Sequence, residues 1–174
     1  MVDELGDRMK MYERTEGNRL MPLLPAIARL DGKCFHGLTA NMDRPFDSKF
    51  TATMIALLAH LVHETQPCIG YTQSDEITLI WYSDSVKSQI FFDGKTHKMV
   101  SILAAMASVY FSSEIEREAF FDCRVWNVPN KTEAANVLVW REIDATKNSV
   151  AMAARSVYSH KELYGKGRAD MMDM

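Results

Sequence analysis

Two acidic residues, Asp31 and Asp75, each sit at the end of a strand-like run, where their side chains could hold a divalent cation. Ala26-Ile-Ala-Arg-Leu is a short alternating run that stops at Asp31-Gly32. Cys68-Ile-Gly-Tyr-Thr-Gln and Ile77-Thr-Leu-Ile-Trp-Tyr are two further runs, joined through Ser74-Asp75-Glu76, which reads as a hairpin tip. Carboxylates are rarely buried unpaired, and two at one strand end repel each other until a cation comes between them. Mg²⁺ takes hard oxygen ligands, typically one or two carboxylates plus the phosphates of a substrate. Two such ions, roughly 3.5–4 Å apart, can clamp the attacking and leaving oxygens of an in-line phosphoryl displacement. Gly32 suits such a site because it lets backbone and phosphate approach closely, with its carbonyl as a further ligand. Taken singly, each aspartate reads as a turn residue. The chemical reading needs both at one place, and even then the two readings stand level.

The elements that would bring them together follow from periodicity. Residues 3–17 read as a polar, peripheral helix. Pro45-Phe-Asp-Ser-Lys-Phe opens a helix to about Glu64, with Phe50, Met54, Leu57, Leu58 and Leu61 at helical spacing and Pro67 beyond its end. Thr96 to Phe111 reads as another, with Met99, Ile102, Leu103, Met106 and Tyr110 inward. Phe120-Phe-Asp-Cys-Arg-Val-Trp-Asn-Val is a fourth strand, stopped by Pro129. The order β-α-β-β-α-β predicts an α+β, ferredoxin-like antiparallel sheet with helices on one face, followed by C-terminal helices. A right-handed crossover makes the first two strands parallel and inserts the third antiparallel between them. The hairpin tip then falls at the same sheet end as Asp31. Residues 131–156 carry helical signals, read as two helices broken near Ala145–Asn148, and the tail from Tyr164 reads as frayed. The chain 1–174 is thus expected to be one domain: a core over about 20–130, a helical extension over 131–163, and a flexible end.

Composition bounds the class. With 174 residues, 47% hydrophobic and 25% charged, the chain can bury a real core and is not a disordered type. The longest apolar runs, such as Met54–Val62, fall well short of the roughly 20 residues that span a bilayer, and the charged first residues argue against secretion. Cys34, Cys68 and Cys123 are scattered, with no C-x-x-C pair, which fits free thiols in a reducing cytoplasm. A net charge of −3 means that any RNA contact must come from a local basic patch. His60 and His63 are i, i+3 on a helix but lack a third ligand, so they read as an ordinary helix face.

Several stretches resemble the tRNA-His guanylyltransferase family, the 3′-to-5′ polymerases, and particularly its bacterial and archaeal guanylyltransferase-like branch. They are Arg29-Leu-Asp-Gly-Lys-Cys-Phe-His36, Arg44-Pro-Phe, Tyr71-Thr-Gln-Ser-Asp-Glu76, Phe121-Asp-Cys-Arg124 and Trp140-Arg-Glu-Ile-Asp-Ala145, with Asn148. The resemblance implies a polymerase palm, which agrees with the strand order. It implies that Asp31 and Asp75 bind two Mg²⁺ ions with help from Gly32, and that Glu76 beside them is a further catalytic residue that matters for activity. It places Arg29, Arg44, Ser74, Lys95 and Lys98 where the family contacts triphosphates, and Lys33, Cys34, Phe35, His36 and Asn148 around the nucleotide. Read by themselves, Lys95 and Lys98 are a solvated helix start, His36 is structural, Phe35 is core, and Asp122 with Arg124 is a clamp on the last strand. ATP and GTP would be substrates, tRNA the acceptor, and a homo-tetramer the assembly. The family's eukaryotic H-I-N-N-L-Y-N segment is Thr146-Lys-Asn-Ser-Val-Ala-Met152 here, with only Asn148 kept. That departure points to template-dependent repair of 5′-truncated tRNA rather than addition of one non-templated G. Family members also run several dozen residues further. Two rivals share the palm or its ligands. A palm-type nucleotide cyclase would need a G-G-D-E-F-like hairpin in place of Tyr71-Thr-Gln-Ser-Asp-Glu76, and a non-catalytic tRNA or nucleotide binder would not need paired carboxylates.

Overall fold

Strand β1 (Ala26–Gly32) is central in a four-stranded antiparallel sheet, flanked by β3 (Glu76–Trp81) on one side and β4 (Phe121–Asn127) on the other. Strand β2 (Ile69–Gln73) lies outside β3, giving the order β2-β3-β1-β4. The computed structural model describes residues 4–15 and 17–174; of the helix expected over 3–17, residues 3 and 16 lie outside them. Within them, helix α1 (Glu4–Thr15) precedes the sheet, as its polar sequence suggests.

Alternation along the strands separates two faces. Ala26, Ala28 and Leu30 on β1 and Ile77, Leu79 and Trp81 on β3 are buried against one pair of helices. These are α3 (Ser48–Thr65), which follows the short α2 (Phe35–Leu38), and α4 (Thr96–Ile115). Helix α3 starts because the Asp47 carboxylate accepts from the Phe50 amide at 2.7 Å. It ends at Gln66, whose left-handed backbone precedes Pro67. Its inner face is Met54, Leu57 and Leu61, as the spacing predicts. Helix α4 differs in one respect. Its buried residues are Met99, Leu103, Ala107 and Phe111, while Ile102 faces outward. A strict i, i+4 stripe lets small Ala107 bring the helix close to the sheet.

The opposite face is covered by one helix, α5 (Lys131–Val157), so the helices of the whole domain occupy both sides. The expected break near Ala145–Asn148 does not occur. No Gly or Pro interrupts 131–157, and the polar residues there are absorbed by the helix itself: Thr146 donates to Glu142 at 2.8 Å, and Ser149 to the Thr146 carbonyl at 2.9 Å. Beyond it come two single turns, α6 (His160–Leu163) and α7 (Arg168–Met172), the latter packed on α5. No described helix is long and apolar enough to cross a membrane.

Candidate functional site

The C-terminal end of β1 meets the β2–β3 hairpin tip directly. The Gly32 amide donates to the Asp75 carbonyl at 3.1 Å, so the two predicted acidic residues stand on adjoining backbone. The tip is tight, with Ser74 at φ 51°, and the Ser74 hydroxyl donates to the Asp75 carboxylate at 3.1 Å. Asp31 faces Glu76 on β3 and Asp122 on β4 in register. Cross-strand partners share a face, so three acids line up on the α5 side of the sheet, with Asp75 beside them at the hairpin tip.

Asp31 bears the electrostatic consequence. Its carboxyl is pushed above the usual range by burial, then by the charges of Asp75, Asp122 and Glu76, against a smaller opposing pull from Arg29. Among the described residues no three His, Cys, Asp or Glu side chains converge to hold an ion. The donor set is instead two carboxylates with the Gly32 carbonyl nearby, hard oxygens that suit Mg²⁺ sharing its remaining positions with water and phosphate. An aspartate raised by its neighbours' negative charge is the residue that a bound cation would relieve.

Next to this acidic edge opens a cleft of about 670 Å³. Gly32, Cys34, Phe35, His36, Arg44, Ser74, Asp75 and Asn148, all singled out in the sequence, line it. Phe35 is its floor as well as core: it is buried and packs its ring against Phe50, Phe111 and Phe121. That packing explains Gly32, since a β-carbon there would lie 2.5 Å from the Phe35 ring. Cys34 turns the chain out of β1 with a left-handed backbone, and His36 follows, exposed. The Arg44 guanidinium is tethered to the Thr39 carbonyl at 3.5 Å. Asn148 comes from α5, with Ala145, Ser149 and Met152 beside it.

Other predicted residues lie elsewhere. Arg29 is beneath α5, 3.8 Å from Glu76 and against the Trp140 ring. Lys33 is at the edge, its ammonium 6.0 Å from the Phe120 ring centroid. Lys95 and Lys98 stand at the start of α4, by Arg19, at the opposite end of the sheet. Phe111, which touches Phe35, is 13 residues beyond Lys98, a distance of about 20 Å along a helix. The two lysines therefore do not share a site with Asp31 in one chain. Glu76 is buried and occupied: it accepts from Arg141 Nε at 2.6 Å. Asp122 and Arg124 pair at 3.5 Å, as read from the sequence, though both are more than half exposed. His60 stacks on Tyr110 at 4.7 Å.

Three features of the site escaped the sequence reading. Arg141 is the first: only its i, i+3 spacing to Asp144 hinted at an ion pair, and its partner on β3 is 65 positions away. The others are the charge of Asp122 acting on Asp31 and the cleft wall formed by the unbroken α5.

A family model described as tRNAHis guanylyltransferase matches residues 6–129. An uncharacterized protein of Acanthamoeba polyphaga mimivirus is 27% identical, across 99% of this chain and 69% of its own length. The tRNA(His) guanylyltransferase of Schizosaccharomyces pombe is 28% identical, across 82% of this chain, and the match spans 56% of that enzyme. A bacterial tRNA(His) guanylyltransferase-like protein solved in complex with ATP superposes with a TM-score of 0.92 at 32% identity, covering 98% of this chain and 78% of that one. A structure described in the same words but in complex with GTP gives 0.84 at 32% identity, covering 99% and 79%.

Proposed function

Because the chain belongs to the tRNA(His) guanylyltransferase family, whose members are nucleotidyltransferases, we propose that it transfers nucleotides from nucleoside triphosphates onto the 5′ end of a tRNA, growing it in the 3′-to-5′ direction. The observation that carries this reading is that the strand end bearing Asp31 adjoins Asp75 on the backbone, beside a nucleotide-sized cleft that Gly32 and Asp75 line. The bacterial relatives at 32% identity, solved with ATP and with GTP, support the choice of nucleotide.

Activation comes first: a 5′-phosphate oxygen of the tRNA attacks the α-phosphorus of ATP, and pyrophosphate leaves. The 3′-hydroxyl of an incoming nucleoside triphosphate then attacks the activated 5′ phosphorus, and AMP leaves. Both steps are in-line displacements at phosphorus, which need charge stabilisation and alignment more than an acid–base side chain. Mg²⁺, held by Asp31 and Asp75 with the Gly32 carbonyl, would supply that stabilisation and lower the pKa of the attacking hydroxyl. The protein aligns the rest. Arg44 and Ser74 face the cleft, where a cation and a hydroxyl can take phosphate oxygens. His36 and Asn148 also line it, side chains that can hydrogen-bond a base or ribose. Phe35 and Met54 close the floor and exclude water. Divergence of Thr146–Met152 favours template-dependent repair over addition of a single G.

The test is transfer of label from a radiolabelled triphosphate to a 5′-truncated tRNA in the presence of ATP and Mg²⁺. A tRNA lengthened at its 5′ end is expected. A cyclic nucleotide formed without tRNA, or no transfer with tRNA bound, would reject the reading.

A further inference from the structure

Helix α5 is fastened to the sheet by two different kinds of contact. Over its first two turns the seam is apolar: Ala134, Val137 and Leu138 lie on Ile27 and Ile80. After Leu138 the next buried residue on the helix is Arg141, and after that none is buried until Ala154. Beneath Arg141 the sheet is polar. Its guanidinium holds Glu76 at 2.6 Å and Asp144 at 3.0 Å, with Arg29 on the other Glu76 oxygen at 3.8 Å. Thr78, the register partner of Arg29, buries a hydroxyl with no hydrogen-bond partner among the described residues. The residues that wall the cleft, Ala145, Asn148 and Met152, come one to three turns later.

From this arrangement we propose that Arg141 and Glu76 are positioning residues: their buried bridge sets the depth and rotation of the second half of α5, and through it the fit of the nucleotide in the cleft. The inference rests on the reading of that cleft as a nucleoside triphosphate site. The bridge has two physical consequences. A charged pair out of water tolerates little change in geometry, because displacing either partner strands a buried charge. It therefore fixes helix rotation more sharply than an apolar contact, which can slide. The bridge also engages Glu76, so that Asp31 and Asp75 remain the carboxylates free to act at the rim.

The proposal separates local order from chemistry, and the two can be measured apart. Hydrogen exchange on the whole chain is compared for the parent, Arg141→Met, and the double variant Arg141→Met/Glu76→Met. In Arg141→Met, amides 142–152 are expected to exchange about tenfold faster or more, while 131–138 keep their protection. The double variant replaces the pair with apolar side chains and should recover most of that protection. In transfer assays, Arg141→Met should raise KM for GTP by about tenfold with a smaller fall in kcat. Unchanged exchange at 142–152 in Arg141→Met overturns the proposal, and so does loosening of 131–157 as one unit. A folded double variant with kcat lost altogether would make Glu76 a reacting group instead. Should Arg141→Met fail to fold, Glu76→Gln takes the charge out of the bridge at nearly constant volume, so faster exchange at 142–152 in it still supports the bridge and no change contradicts it. If the parent transfers no nucleotide, the exchange result stands alone and the function fails separately.

Discussion

The two faces of the sheet are built from opposite materials. Against α3 and α4 the strands present Ala, Leu, Ile and Trp, packed with Phe35, Phe111 and Phe121 in one continuous apolar core. Against α5 they present Arg29, Asp31, Glu76 and Thr78, with a small apolar patch only at the helix start. Hydrophobic burial stabilises at roughly 25 cal/mol per Å², while buried charges at best break even against their desolvation. The first face holds the fold together and the second holds charge in place. Chemistry at phosphorus needs the second, and it is possible here because the first is large.

The sharpest way to break this contrast is to damage the dry face. Leu103→Ala, at a fully buried site remote from the cleft, should cost about 3 kcal/mol and lower Tm by about 6–12 °C. Activity per folded molecule at low temperature should stay at the parental level. A comparable loss of kcat without loss of stability would mean that the faces are not separable.

Gly32→Ala tests the join between them. The added methyl would collide with the Phe35 ring, and relieving it should cost about 1–3 kcal/mol and distort the cleft floor as well. Differential scanning calorimetry and KM for GTP should move together. A stable variant with unaltered KM would show that the ring has room to shift.

On the charged face the expected sign reverses. Asp31 is raised by its neighbours, so its ionisation opposes folding. The cost is absent below the unfolded carboxylate pKa of about 4 and fully present once pH exceeds the raised folded value. Asp31→Asn should therefore raise Tm by about 1–3 °C at pH 7 without divalent cations, and the gain should vanish near pH 3. Equal melting at both pH values would remove the case for electrostatic conflict at the site.

The smallest effect is expected at Asp47, where the shift has the opposite direction. Hydrogen bonds from the Phe50 and Asp43 amides hold its carboxyl below the usual range. Its contribution is present above the unfolded pKa and lost as pH falls through the lowered folded one. Asp47→Ala should melt slightly below the parent at pH 6 and level with it at strongly acid pH. A gap that persists in acid would assign its effect to packing.

These contrasts also mark what the sequence could disclose. Helix α3, the four strands and their order were readable because local alternation and helical spacing report burial on a uniform apolar face. The neighbourhood of Asp31 and Asp75 was readable too, since it depends on crossover handedness rather than on side-chain detail. The α5 face was not. Arg141 reads as a solvent residue until β3 lies beneath it, and the Ala145–Asn148 stretch reads as a break because polar residues that bond within a helix are indistinguishable from those that end it. Ile102 was misplaced for a related reason: α4 is apolar on most sides, so periodicity did not single out the inner stripe. Family position sets Lys95 and Lys98 against triphosphates, and only the course of α4 shows that they stand at the end of the sheet away from Asp31 in the same chain.

One measurement bears most directly on the paired aspartates. Mn²⁺, standing in for Mg²⁺, is titrated into the chain with a non-hydrolysable GTP analogue, and bound metal is counted for the parent, Asp31→Asn and Asp75→Asn. About two ions per chain are expected in the parent and fewer than one in either variant. Unaltered metal binding by Asp75→Asn would contradict the account.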